Sequence, residues 1–241
     1  MRILLAVALA AASSWALAQP PSTRLPRPAT MEVTGQAEVS RAPDRVYIDI
    51  GVTTQARKSE DAAAQNAERL SAVIAAVKGA AGPGAQLTTT QYSISPNYNY
   101  PRGGGTPTVV GYTASNVVRV RLDDLGKIGR VIDAATQAGS NNVQDIRFAL
   151  RDEQAPRDEA LREAALNARQ DAGALAGALG LDVVRVLAVS ENGPESRPVP
   201  IYAQAMGRLA QARVTPTPVE AGTIDVTATV TLTVEVAPAK R

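Results

Sequence analysis

The chain carries no histidine and no cysteine, so any chemistry it performs must fall to carboxylates, lysine, serine or tyrosine. That removes His-based triads, thiolate or imidazole metal sites and histidine-ligated haem. The acids come in pairs: Asp123-Asp124, Asp152-Glu153 and Asp158-Glu159. Paired carboxylates can divide acid and base roles when their surroundings push their pKa values apart. All three pairs stand at or just before expected helix starts, where negative charge complements the helix dipole. That accounts for them without catalysis. Asp44 and Asp49 fall at a turn and on a polar strand face, with nothing to pair them at glycosidase geometry. Gly103-Gly104-Gly105 precedes no helix with a Lys-Ser/Thr pair, so it reads as a hairpin tip rather than a phosphate cradle. No catalytic residue, cofactor or metal is expected.

The remaining chemistry is aromatic. Tyr92, Tyr98, Tyr100 and Tyr112 cluster on two neighbouring strands. Rings at such spacing can stack bases, but Arg102 is the one basic residue among them, and the net charge is only +2. A nucleic-acid binder needs a concentrated basic surface, so nucleic acid is excluded as a partner. Tyr98, Tyr100, Arg102 and Tyr112 are instead a candidate surface for self-association or for an envelope protein partner.

The elements that position these residues are read from periodicity. Thr223 to Val236 alternates without a fault: Ile224, Val226, Ala228, Val230, Leu232, Val234 and Val236 fall on one side, threonines and acids on the other. Such alternation is a strand with one dry and one wet face. Its row of Thr227, Thr229, Thr231 and Thr233 is a second candidate assembly surface, beside the plainer reading of solvation. Met31 to Ser40 and Val46 to Thr53 alternate in the same way, and the short Ala42-Pro43-Asp44 connection predicts an antiparallel hairpin between them. A helix is expected from the N-cap Ser59 to about Lys78, with Ala63, Ala67, Leu70, Val73, Ile74 and Val77 inward. Strands from Gln86 to Tyr100 and around Tyr112 to Leu122 follow, with Pro96 marking a bulge or an edge. A short helix over Leu125 to Ala135 and a strand through Ile146 and Phe148 lead to the longest helix, Pro156 to Leu179. Its expected inner stripe is Leu161, Ala164, Ala168, Ala172, Leu175, Ala176 and Leu179. Val183 to Val189 is a sixth strand. The segment from Glu191 to Gly222, with five prolines, reads as an irregular loop with at most a weak helical turn near Ala203 to Ala210.

The fold class is therefore α+β: antiparallel sheet covered on one face by three amphipathic helices, in the order β-β-α-β-β-α-β-α-β-β. The repeated strand-helix-strand order, around residues 59–78 and 157–179, admits an internal duplication. Three domains of the chain are expected: a signal peptide over 1–18, a flexible Pro-rich lead-in over 19–29, and one folded domain over 30–237. Arg2, the apolar run Ile3 to Ala12 and Ala16-Leu17-Ala18 have the grammar of a cleavable secretory signal. Its removal takes only Arg2 among the charges. No transmembrane segment is expected in the mature chain, and three amphipathic helices with so few strands rule out a membrane barrel.

These residues resemble a known family. Val-Thr-Gly-x-Ala-x-Val-Ser-x-Ala-Pro-Asp over Val33 to Asp44 is similar to the opening of the SIMPL domain. Tyr92-Ser93-Ile94 with Pro96 and Tyr98, and Gly111-Tyr112-Thr113-Ala114-Ser115-Asn116, match in order and spacing. So do Leu125 to Gly139 with Ile132-Asp133, Ile146-Arg147-Phe148, Glu159-Ala160-Leu161, Ala168-Arg169, Ala172, Ala176 and Leu179-Gly180. The resemblance implies an α+β fold, a periplasmic location with outer-membrane association, a tendency to oligomerise, and a link to oxidative or envelope stress. It carries over no catalytic residues. A eukaryotic member acts as a kinase-associated adaptor, a role that an exported chain does not fit.

The expectation is a non-enzymatic, self-assembling envelope protein. Two alternatives stand beside it. One is a periplasmic protein binding a small apolar or aromatic ligand between the sheet and loop 191–222. The other is a carboxylate-based hydrolase, which requires two acids to converge in a cleft.

Overall fold

The computed structural model describes residues 28–199 and 219–239, and for residues 192–199 the backbone alone. The signal peptide, most of the lead-in and the expected turn near Ala203 to Ala210 lie outside the described residues. Seven strands and three helices follow in the order the sequence predicts: β1 (Thr30–Arg41), β2 (Arg45–Ala56), α1 (Ser59–Ala81), β3 (Gln86–Asn99), β4 (Thr108–Leu122), α2 (Ile128–Gln137), β5 (Asn142–Ala149), α3 (Gln154–Ala178), β6 (Leu181–Val199) and β7 (Thr223–Pro238). A 3-10 turn, Leu125–Lys127, leads into α2.

The strands form two antiparallel sheets. One has the order β1-β7-β6 and the other β3-β4-β2-β5. The long alternating strand β7 is the centre of the first. Its register with β1 runs unbroken from Thr30↔Glu235 to Arg41↔Ile224. The apolar side of β7 is buried under α3 together with Val33 and Val39. In the second sheet Val46, Ile48, Ile50 and Val52 of β2 pack with Val118, Val120 and Leu122 of β4 under α1, and α2 packs beside α1. Among the described residues each sheet thus has helices on one face only. Burying each such aliphatic side chain contributes about 1.5–3 kcal/mol before entropy is charged against it.

The expected hairpin between β1 and β2 does not exist: the two strands belong to different sheets. Alternation assigns a strand its faces and says nothing of its partner. Ala42-Pro43 lacks the positive-φ residues that a tight hairpin needs, and a residue before proline is held extended. The chain passes from one sheet to the other there. Asp44 ties the corner to the end of β5, donating its N–H to Ala149 O at 3.3 Å and accepting from Arg151 N at 2.7 Å.

Four finer expectations also change. Ser59 is the first residue of α1, and Lys58 takes the N-cap position with no side-chain cap. The buried stripe of α1 is Ala62, Asn66, Leu70, Val73, Val77 and Ala81, so Ala63 and Ala67 fall outside it. α1 runs through Gly79 and ends at Gly82, whose φ of 75° suits glycine. The inner stripe of α3 is Pro156, Ala160, Ala164, Ala168, Ala172 and Ala176. Leu175 and Leu179, expected inward, are exposed. The cause is Gly35: a Cβ there would lie 2.2 Å from both Ala164 O and Ala168 N. The helix lies so close to β1 that only small residues fit between.

β6 is longer than expected. It pairs with β7 as far as Val199↔Thr223, reaching well into the segment read as an irregular loop. Pro194 and Pro198 are tolerated because β6 is an edge strand and its register shifts between Asn192 and Glu195. Pro96 does mark an edge strand. β3 is outermost in its sheet, with register shifts at Thr89/Gln91 and Asn97/Tyr98.

Candidate functional site

Five of the six paired acids are engaged in caps, ion pairs or a side-chain hydrogen bond. Asp124 Oδ1 accepts from Gly126 N at 3.1 Å, capping the turn into α2. Asp152 Oδ1 accepts from Gln154 N at 2.9 Å, and Asp158 Oδ1 from Gln154 Nε2 at 2.6 Å. Glu159 pairs with Arg41, joining α3 to β1. Asp49 takes both arms of Arg119 at 2.7 Å on the open face of its sheet. Asp123 accepts from Arg45 Nε at 2.7 Å, with Arg151 Nε at 3.6 Å. The hydrogen bond from Arg45 holds the Asp123 carboxyl below the ordinary carboxylate range, against a smaller opposing effect of desolvation. A general acid needs the opposite shift. Among the described residues no group of three or more acids is placed to hold a metal.

The Asp123 pair yields a pH prediction. A carboxyl whose pKa is lower folded than unfolded adds stability above the unfolded value, near pH 4. That stability is lost as pH falls through the folded pKa. Asp123→Asn is therefore expected to unfold at lower urea than the parent at pH 7, with the gap closing below about pH 4. Urea midpoints at pH 7 and pH 3 check it; a gap that widens in acid would contradict it.

The tyrosines stand on the β3–β4 hairpin. Tyr98 is opposite Val109 and Tyr112 is opposite Pro96. Tyr98 and Tyr100 are 49% and 70% exposed, and their rings lie 6.3 Å apart, tilted at 51°. Arg102 is exposed in the connecting loop, and Tyr112 is half-buried at the foot of the tip. Tyr92, Ile94, Val109 and Val110 add to the same exposed apolar surface. α1 packs on β2 and β4 and touches β3 only slightly, so among the described residues the helix-facing side of this edge strand stays open. Beside Tyr92, Asn116 Oδ1 is buried with no partner among the described residues.

The threonine row sits elsewhere. Thr227, Thr229, Thr231 and Thr233 lie on the open face of the central strand β7, opposite Glu38, Gln36, Thr34 and Glu32 of β1. Thr231 and Thr34 hydroxyls are 3.1 Å apart. Thr227 is exposed and the other three are half-buried. The structure thus divides the sequence-derived candidates between two sheets: tyrosines on an edge hairpin, threonines on a sheet face.

One surface was not foreseen. Val183, Val184, Val186, Leu187 and Val189 of β6 are exposed. The sequence signal was there: Val183-Val184-Arg185-Val186-Leu187-Ala188-Val189 is apolar at nearly every position, so both of its faces are apolar, and it lies on an edge strand.

Among the described residues these features define an α+β protein of two one-side-covered sheets, whose β3 and β6 edges expose apolar side chains and whose paired acids lie mostly in caps and ion pairs. The chain belongs to the SIMPL family, a protein of unknown function (DUF541), whose model matches residues 31–234. It is 31% identical over 200 residues to the 26 kDa periplasmic immunogenic protein of Brucella melitensis, covering 81% of this chain and 80% of that one. It is 25% identical over 180 residues to the uncharacterized protein YggE of Escherichia coli K12, covering 75% and 72%. Among solved structures, the crystal structure of AtUAH in complex with glyoxylate aligns at a TM-score of 0.26 and 14% identity, over 55% of this chain and 34% of that one. That likeness is too slight to carry an argument. No helix among the described residues is long and apolar enough to cross a membrane.

Proposed function

We propose that this chain is an exported periplasmic protein, associated with the outer membrane and non-enzymatic, that assembles with copies of itself through its open sheet edges. The β3–β4 hairpin carries the reading. It gathers Tyr92, Tyr98, Tyr100, Val109 and Val110 in the open at the rim of a sheet. Exposed apolar surface on an unpaired edge invites a partner strand. Arg102 and half-buried Tyr112 complete that surface, and the threonine row on β7 offers a second contact by face packing. The periplasmic location for which the Brucella relative is named supports export. The engagement of the acids in caps and ion pairs supports a non-catalytic role.

The hairpin is tested directly. Tyr98→Ser with Tyr100→Ser, or removal of residues 97–107, is expected to lower the mass of the signal-less protein in light scattering while its circular dichroism is unchanged. An unchanged mass would remove the hairpin from the interface. The family resemblance extends the reading to oxidative or envelope stress. A deletion strain should then lose viability under peroxide or detergent and regain it with the gene restored.

A further inference from the structure

The two sheets share the chain unevenly. β2, α1, β3, β4, α2 and β5 follow one another without a break, and together they make one sheet with its helices. β1, α3, β6 and β7 make the other, and the first group is inserted between β1 and α3. The chain leaves the second group at Ala42-Pro43 and returns to it through Leu150 to Glu153. These two crossings lie side by side. Asp44 donates its N–H to Ala149 O at 3.3 Å, and its Oδ1 accepts from Arg151 N at 2.7 Å. Arg151 Nε also stands 3.6 Å from Asp123 Oδ2. Ends that meet in this way are what the insertion of one domain into another requires. Residues 45–149 also fall within the range of roughly 50–250 residues typical of a domain.

Each group has its own core. Ile48, Ile50, Val73, Val77, Val120 and Val131 fill the first. Val33, Ala164, Ala168, Val230, Leu232 and Val234 fill the second. Of the residues in or against the first core, Val219 alone comes from outside 45–149. The second core draws none from within 45–149. Among the described residues, no helix or strand of one group packs along an element of the other. The ion pairs follow the same division: Arg45–Asp123 and Arg119–Asp49 stay in the first group, Arg41–Glu159, Arg157–Glu191 and Arg185–Glu235 in the second. Elements unfold together when they share a buried interface. Where they share little, each body opens with a free energy of its own.

We infer that residues 45–149 are an inserted unit that folds and opens on its own core, separately from the unit of α3 and the β1-β7-β6 sheet. The corner of Asp44, Arg151 and Asp123, with Val219, couples the two. The division also separates the candidate surfaces. The tyrosine hairpin lies wholly in the inserted unit; the threonine row and the apolar strand β6 lie wholly in the other. A partner seated on the hairpin therefore stabilises the inserted unit directly, and the second unit only through the corner. This inference does not depend on the assembly reading.

The test is hydrogen exchange of the signal-less protein, read peptide by peptide by mass spectrometry across a urea series, for the parent and two variants. Gly35→Ala forces a Cβ against the backbone of α3 in the second unit. Asn66→Ala removes the bonds from α1 to Val52 O and Ala114 O in the inserted one. Gly35→Ala is expected to lower the urea midpoint of peptides from β1, α3 and β7 by about 1 M or more, and to move those from α1, β2 and β4 by less than about 0.3 M. Asn66→Ala is expected to do the reverse. Tyrosine fluorescence gives an independent reading, because five of the six tyrosines lie within 45–149. Its midpoint should follow Asn66→Ala and ignore Gly35→Ala. If Gly35→Ala leaves the second unit unfolded without urea, peptides from 45–149 should still keep the parent's protection. A shift of like size in both sets of peptides, from either variant, overturns the proposal. So does loss of protection throughout the chain in Gly35→Ala.

Discussion

Replacing Gly35 by alanine is expected to cost about 3 kcal/mol or more of folding stability. The added Cβ would sit 2.2 Å from Ala164 O and 2.2 Å from Ala168 N, both backbone atoms of α3. A side chain in the way can rotate; a helix backbone must lift as a body. Lifting α3 opens the seam over Val230, Leu232 and Val234, which are buried in the same cluster as Ala164 and Ala168. Gly79→Ala is the control. Gly79 lies within α1, and a Cβ there meets nothing within 4 Å. In a helix that change stabilises by about 0.5–1 kcal/mol. The same substitution is thus expected to act with opposite sign at the two glycines. Urea unfolding of both variants decides it. A Gly35→Ala protein within about 0.5 kcal/mol of its parent would refute the close packing of α3 on β1.

Asn66→Asp is expected to cost about 3–5 kcal/mol at pH 7. Asn66 is fully buried on the inner face of α1. Its Nδ2 donates to Val52 O at 2.7 Å and to Ala114 O at 3.1 Å, stitching the helix to both β2 and β4. A carboxylate there has no donor to offer and faces two carbonyl oxygens. Burial and that repulsion favour its protonated form, raising the folded pKa above the unfolded value of about 3.9. The folded state then binds more protons than the unfolded one, so the variant gains stability relative to the parent as pH falls. Asn66→Ala should cost about 2 kcal/mol, from lost hydrogen bonds and a cavity, with little change in pH dependence. Urea midpoints between pH 4 and pH 8 distinguish them. A deficit in Asn66→Asp that is flat with pH would contradict the buried site.

The strands were legible because their alternation is a local property. β7 could be read residue by residue, and its dry side is buried as expected. Partnering was not legible. β1 and β2 are equally alternating neighbours, yet they stand in different sheets, β1 beside β7 and β2 between β4 and β5. The helix stripes were misread for one reason. Ala62-Ala63-Ala64 and the alanines of α3 spread the apolar signal around the helix, so the leucines set the apparent phase. Asn66 was missed because a polar residue looks like an interruption of an inner face, when here it is the bond that holds that face down. For the candidate surfaces, the tyrosine hairpin was visible from composition at a turn. The exposed apolar side chains of β6 were not, because the edge position of that strand is a tertiary fact that no window of sequence contains.

Assembly is the claim on which the functional reading rests most heavily. Its direct measurement is light scattering of the signal-less protein across a range of concentrations. A mass well above the 25.1 kDa of the full chain is expected, persisting on dilution and falling when the hairpin tyrosines are replaced. A single species at or below 25.1 kDa at the highest concentrations would contradict it.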